Sequence, residues 1–207
     1  MPDSDALKVH RFGRDDSLIS EFKKTGRAVA DCTPFEQTAV VAGRATKIEQ
    51  EIHTDKVRVD KIPVFRRRGG GCSVLLDPGN LIVYLVFPAE GYLNIGPLFD
   101  QSTQYLLKAL KQAGIDKVYQ DGISDIVIEN RKVGGTCFYR ARGLAYFSAS
   151  LLVRADLDLL PRYLSMPPRQ PDYRNSRPHT EFVANISAFY PQISMEPFSH
   201  RLSRVLQ

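Results

Sequence analysis

Three arginines run directly into three glycines at Arg66-Arg67-Arg68-Gly69-Gly70-Gly71. Glycine costs backbone entropy in regular structure, so such a run needs a reason. One reason is a bend that lets the backbone approach a ligand closely and turns several N–H groups toward an anion. Guanidinium groups beside it add charge-assisted bonds to phosphate or carboxylate. The bland alternative is a solvated basic loop. Further along, Lys132 stands between Asn130-Arg131 and Val133-Gly134-Gly135. Its point charge can stabilise the negative charge that grows on a carbonyl or leaving-phosphate oxygen. The plain alternative is an ordinary hairpin lysine. Cys72 lies in the glycine bend, and Cys137 lies five residues after Lys132. These two are the candidate nucleophiles, against the commoner role of a small buried residue. In a regular strand Lys132 and Cys137 face opposite sides of the sheet, which argues against direct pairing. The third cysteine, Cys32, completes no C-x-x-C pair, so no disulfide framework is implied. His10, His53, His179 and His200 are too scattered for metal spacing.

A hydrophobic fraction of 43% can fill a real core, and 207 residues suit one domain. We read 1–207 as a single catalytic-type domain, with a poorly patterned segment over 1–30 and a C-terminal loop and helix over 167–207. The net charge of +5 is mild and is tightly clustered only at the three arginines. That suits a local anion site better than a nucleic-acid groove. The polar start has no apolar signal core, and the longest apolar run, Leu81 to Pro88, has strand length. A cytoplasmic protein with no membrane segment is therefore expected.

The elements that must position these residues come next. A short helix over Ser17–Lys24 should end at Gly26. Thr38–Gly43 reads as a buried strand, Lys47–Thr54 as a surface helix or turn, and Ile62–Phe65 as a strand feeding the arginines. Ser73–Leu76 and Leu81–Phe87 flank Asp77-Pro78-Gly79-Asn80, whose turn chemistry makes a hairpin candidate. Ser102–Ala113 has helical spacing and stops at Gly114. Asp125–Ile128 and Lys132-Val133 flank Glu129-Asn130-Arg131 as a second hairpin. Leu144–Val153 is a long strand, and Leu157–Leu164 is a short helix capped by Asp156. Pro167–Pro178 reads as an exposed loop. Its basic surroundings, Arg162 to Arg177, would dock an acidic carrier or be merely solvated. Phe182–Phe189 has no clear pattern, and Pro197–Leu206 is an amphipathic helix. Hairpins imply antiparallel pairing, so the fold class is α+β: a mixed, largely antiparallel sheet with flanking helices.

The stretch Arg66 to Asn80 resembles the lipoate–protein ligase pattern R-R-x-[ST]-G-G-G-A-V-Y-H-D-x-G-N, in register and without a gap. Ile123 to Cys137 resembles the second motif, R-N-D-[LI]-x-V-x-G-x-K-[IV]-x-G-x-A, with Asp125, Lys132 and Gly135 in register. Phe147 to Leu152 resembles the third, H-H-G-T-L-L. The likeness covers Val40 to Ile186 and implies a biotin/lipoate ligase catalytic-domain fold. It implies that Lys132 contacts the acyl carbonyl and phosphate of an acyl-adenylate. It likewise implies acyl or nucleotide binding by Arg66, Arg67, Gly69, Gly70, Gly71, Asp77, Asn80, Asp125 and Gly135. The substrates would be lipoate or octanoate with ATP and Mg2+, and the acceptor a lysine on a lipoyl carrier domain. The motifs are incomplete here: Cys72 replaces a glycine, Leu76 a histidine, Ile123-Ser124 the R-N pair, and Phe147-Ser148 both histidines. The family's long N-terminal helix is abbreviated and its C-terminal accessory domain lacks a counterpart, which implies a separate accessory subunit. Related octanoyltransferases use a cysteine and no ATP, so a transferase acting through Cys72 or Cys137 stays open. So does a non-catalytic acyl-binding subunit.

Overall fold

Leu81 to Val86 is apolar at every position because both faces of its strand are covered. Leu81, Val83 and Leu85 pack with the two long helices, while Ile82, Tyr84 and Val86 pack toward a second, smaller sheet. The computed structural model describes residues 7–89, 94–141 and 143–207; the first six residues of the polar N-terminal segment lie outside these. In chain order the elements are β1 (Val9–Arg11), α1 (Asp16–Thr25), β2 (Val29–Pro34), β3 (Ala39–Ala42), α2 (Ile48–Glu51) and α3 (Thr54–Val59). Then come β4 (Val64–Arg66), β5 (Val74–Leu76), β6 (Asn80–Pro88), α4 (Gly96–Gln112), β7 (Tyr119–Asp121), β8 (Asp125–Ile128) and β9 (Arg131–Ala141). The chain finishes with β10 (Leu144–Leu152), α5 (Leu159–Tyr163), α6 (His179–Phe182), α7 (Ile186–Phe189) and α8 (Met195–Leu206).

The larger sheet has the order β2-β6-β10-β9-β8-β7 and is antiparallel throughout. The smaller, β1-β4-β3-β5, pairs β4 in parallel with β1 and β3, and β5 antiparallel to β3. The fold is thus the α+β class with a largely antiparallel sheet. Helices α4 and α8 cover one face of the large sheet through stripes such as Leu106–Leu110 and Phe198–Leu202–Leu206. The small sheet covers part of the other face.

Several elements differ from expectation. Strands β5 and β6 are not a hairpin: β5 pairs with β3, and β6 lies between β2 and β10. The turn between them instead carries the chain from one sheet to the other. Its Asp77 carboxylate accepts the Gly79 N–H at 2.7 Å and the Asp156 N–H at 2.6 Å. Asn80 Oδ1 accepts the Asp77 N–H at 2.9 Å. A Cβ at Gly79 would fall 2.1 Å from the Arg154 carbonyl, so only glycine fits. The turn residues thus bind a neighbouring segment, and no two-stranded ladder forms between β5 and β6. The cap at Asp156 is displaced: α5 starts two residues later than expected, and Asp156 Oδ1 accepts the Asp158 N–H in the preceding turn. Strand β2 was hidden because only Cys32 among its residues is fully buried; pairing with β6 imposes its conformation. The Lys47–Thr54 stretch is not wholly surface, since Ile48 and Glu51 are buried.

The Pro167–Pro178 segment is largely exposed, as expected, but it is anchored at one buried residue. It holds a short 3-10 turn at Asp172–Arg174, and Arg174 is only 3% exposed, its guanidinium 4.6 Å above the Phe182 ring. Arg162 pairs with Asp60 and Arg177 bonds to backbone carbonyls, so much of this basic run is used internally.

Candidate functional site

Lys132 reaches the site through an irregularity in β9. Val127 lies opposite Lys132, whereas Ile126 lies opposite Gly134, so Val133 is an extra residue in the ladder. A β-bulge of this kind re-aims neighbouring side chains. Val133 packs among Ile126 and Ile128 on the helix-covered face. Lys132 is left on the opposite face, beside Asp125 and Gly135. The opposite-sides expectation for Lys132 and Cys137 therefore fails: the bulge puts both on one face.

On that face the ladders form two adjacent rows. One runs Asp125, Gly135, Ser150, Ile82, Thr33, and the next runs Cys137, Ser148, Tyr84, Asp31. Lys132 folds over the first row, its Cε and Nζ each 3.4 Å from where a Cβ on Gly135 would stand. The glycine bend rests on the second: a Cβ on Gly69 would lie 2.5 Å from Cys137 Sγ. Gly135 and Cys137 are two residues apart, about 7 Å along a strand. The lysine and the bend thus sit on neighbouring rows of one sheet face.

Lys132 Nζ pairs with Asp125 Oδ1 at 2.6 Å, and Tyr173 Oη donates to Asp125 Oδ2 at 2.9 Å. The Lys132 side chain is 28% exposed and that of Asp125 8%, so the amine looks out from a nearly buried anchor. Its charge is also felt in the bend. Burial pushes the Cys72 thiol above its ordinary value, helped by the Glu51 charge and opposed by Arg169 and Lys132. Glu51 accepts the Ser73 N–H at 2.6 Å. Sequence reasoning missed Glu51 and Tyr173, and neither spacing nor neighbours marked them.

The three arginines make internal bonds. Arg66 Nη1 donates to the carbonyls of Gly43 at 2.8 Å, Thr46 at 3.1 Å and Arg44 at 3.3 Å. Arg67 donates to the carbonyls of Val41 at 3.0 Å, Gly70 at 2.6 Å and Cys72 at 2.8 Å. Arg68 pairs with Asp15 at 2.9 Å and Asp16 at 2.7 Å, fixing the start of α1. A trans peptide sets N–H opposite to C=O. Because the Gly70 carbonyl faces Arg67, the Gly71 N–H faces away from it. Gly70 and Gly71 are exposed, and Gly71 has φ of +88°, which favours glycine. Arg67 Nε is buried without a partner. Asp77 and Asn80 are occupied by the sheet-crossing turn.

The other cysteines differ in setting. Cys137 Sγ lies 3.1 Å from Ser148 Oγ. Burial pushes the Cys32 thiol up to about 12, with Ser199 opposing the rise. Phe147 points into the helix-side core, while Ser148 lies on the site face. A groove of about 560 Å³ lies near Arg131, Leu157, Asn185 and Phe189, and another of about 440 Å³ between α4 and β7. Neither is lined by Lys132 or the bend. Among the described residues, no group of three or more His, Cys, Asp or Glu side chains is placed to hold a metal ion. No helix among them is long and apolar enough to cross a membrane.

Residues 12–207 match the family model described as the lipoyl protein ligase A/B catalytic domain. The chain is 24% identical over 185 residues to a probable lipoate-protein ligase A of Mycoplasma pneumoniae, covering 89% of this chain and 54% of that protein. It is 28% identical over 162 residues to lipoate-protein ligase A of Psychrobacter cryohalolentis, covering 77% and 45%. The chain therefore spans about half the length of the curated relatives it matches. Its fold is similar to that of a bi-partite lipoate protein ligase from Thermoplasma acidophilum, solved with its E2 lipoyl domain (TM-score 0.77, 22% identity, 97% and 80% of the two chains). It is similar also to a lipoate-protein ligase A bound with ATP (TM-score 0.76, 21% identity, 96% and 83%).

Proposed function

Because the chain belongs to the lipoyl protein ligase A/B catalytic domain family, we propose that it activates lipoate or octanoate with ATP and passes the acyl group to a carrier lysine. A carboxylate oxygen of the acid attacks the α-phosphorus and pyrophosphate leaves. The amine of a lysine on a lipoyl domain then attacks the acyl carbonyl, and AMP leaves with the bonding electron pair. Negative charge grows on the carbonyl and phosphate oxygens in these steps. Lys132 is the cation that meets it, held by Asp125 and free of steric cover because Gly135 has no side chain. The outward Gly71 N–H of the bend receives the phosphate. Arg67 shapes that bend from behind, through the Gly70 and Cys72 carbonyls, and Arg66 holds the Gly43–Thr46 segment through its carbonyls. Mg2+ would be held chiefly by the nucleotide's phosphate oxygens and water.

The observation that carries this reading is the bulge at Val133, which turns Lys132 onto the face where the glycine bend rests. The bi-partite lipoate protein ligase among the solved structures of similar fold supports a second subunit that completes the reaction. The test is pyrophosphate release from octanoate or lipoate with ATP and magnesium, with and without added lipoyl domain and accessory subunit. Release that Lys132→Ala removes is the expected result. No nucleotide turnover with any medium-chain acid, subunit present, overturns the reading. A cysteine transferase is not favoured, because burial pushes the Cys72 thiol above its ordinary value, away from the thiolate that such a reaction needs. An acyl-thioester on Cys72 or Cys137 by mass spectrometry would reverse that judgement.

A further inference from the structure

Asp125 is a nearly buried carboxylate with two different tasks for its two oxygens: Oδ1 holds the Lys132 ammonium at 2.6 Å, and Oδ2 accepts the Tyr173 hydroxyl at 2.9 Å. Tyr173 does not belong to the sheet. It comes from the segment after α5, and that segment is fastened at both ends of β8. At the β7–β8 turn, a Cβ on Gly122 would meet Pro171 Cβ at 3.0 Å, so the two chains are in close contact. At the β8–β9 turn, Arg177 Nη2 donates to the Asn130 carbonyl at 3.1 Å and also to the Tyr173 carbonyl at 2.9 Å. The Tyr173 ring lies 5.1 Å from the Phe182 ring, over which Arg174 and Arg177 also stack.

From this geometry we infer that Tyr173 is a positioning residue for Lys132, acting through Asp125. The inference rests on the ligase reading for its purpose, but the linkage itself is independent of it. A buried carboxylate oxygen that loses its donor must turn to seek another. Turning the Asp125 carboxylate moves Oδ1, and the ammonium loses its fixed anchor. Burial and the Asp125 charge push the Tyr173 phenol well above its ordinary value, so it remains a donor throughout the neutral range. The placing of the amine over Gly135 therefore depends on the seating of Pro171–Arg177. Tyr173 does not touch the reacting atoms.

Two readouts test this. Tyr173→Phe keeps the ring against Phe182 and removes only the hydroxyl. Pulse acetylation of lysines, read by peptide mass spectrometry, reports how firmly Lys132 is held, with exposed Lys117 as the internal reference. Losing a hydrogen bond to a charged group should raise Lys132 labelling about fivefold relative to Lys117. Arg177→Gln loosens the segment without touching Asp125 and should shift labelling in the same direction by less. In octanoate-dependent pyrophosphate release, Tyr173→Phe should lower kcat about tenfold with KM for octanoate nearly unchanged, the signature of lost transition-state positioning. A purely structural role would lower the melting temperature and leave both ratios alone. Unchanged Lys132 labelling in both variants overturns the inference. If the wild type shows no turnover with the accessory subunit present, the ligase reading falls, and the labelling result still decides the role of Tyr173.

Discussion

In the proposed reaction Lys132 is the cation that meets the growing negative charge, and its 2.6 Å ion pair with Asp125 sets where the ammonium stands. Removing a preorganised charge of this kind costs about a hundred- to a thousandfold in rate. Lys132→Ala should show that loss in single-turnover adenylation, together with a lower melting temperature because the nearly buried Asp125 carboxylate loses its cation. Gly69 is tested differently. Its Cα rests on Cys137, so Gly69→Ala drives a methyl into the thiol at 2.5 Å. Overpacking of this sort costs about 1–3 kcal/mol. Adding Cys137→Ala removes the clashing atom, and urea denaturation of the double variant should recover most of the loss. At this scale the motif spacing singled out the lysine, the bend and Asp125, which the structure brings to one sheet face. It did not reveal that the arginines would turn to carbonyls, because a guanidinium's partners depend on chain segments far away in sequence, such as Gly43 to Thr46. Nor did it reveal Tyr173, which meets Asp125 across 48 residues.

Helix ends with a strong local signal fell where expected, although α4 starts at Gly96, six residues before the expected Ser102. Helix α1 ends at Gly26, with φ of 66°, and α4 is followed by Gly114, with φ of +102°. The turn at Glu129-Asn130 has both residues at positive φ, the form that suits a tight hairpin between β8 and β9. Partner choice was not legible. The Asp77–Asn80 turn has good hairpin chemistry, yet its carboxylate reaches Asp156, a contact that turn statistics cannot contain. Asp77→Ala removes both acceptors and leaves the Gly79 and Asp156 amides without them. Two lost bonds to a buried charged group should cost about 3 kcal/mol, read as a lower midpoint in urea with an unchanged m-value.

As a whole molecule the protein is a large sheet covered by helices on one side and partly by a small sheet on the other. The α8 stripe was readable from its spacing, and Phe198 within it is fully buried. Phe198→Ala should destabilise by about 3–5 kcal/mol in chemical denaturation. The two-sheet layering was not readable, since a run buried on both faces loses the alternation that would announce it. One global response to pH follows from His179. Burial pushes its imidazole below the ordinary 6.5, aided by Arg174, Lys132 and His53 and opposed by its bond to the Ser165 carbonyl. A depressed folded value means that the unfolded chain takes the proton first. The stability is fully present above the unfolded value and is lost as pH falls below it. Thermal melts should decline as pH falls below the ordinary imidazole value of 6.5, and His179→Gln should flatten part of that decline.

The supernumerary valine in β9 leaves a mark on how this strand could be edited. Val133 and Gly134 lie consecutively on the same side, so excising Val133 keeps Lys132, Gly135 and Cys137 on the side they now share. A chain one residue shorter at this point would still aim its amine correctly, though along a straighter ribbon and one step nearer Gly135. Keeping the valine but ironing out the kink would do the reverse and roll the ammonium among Ile126 and Ile128, where only hydrocarbon waits.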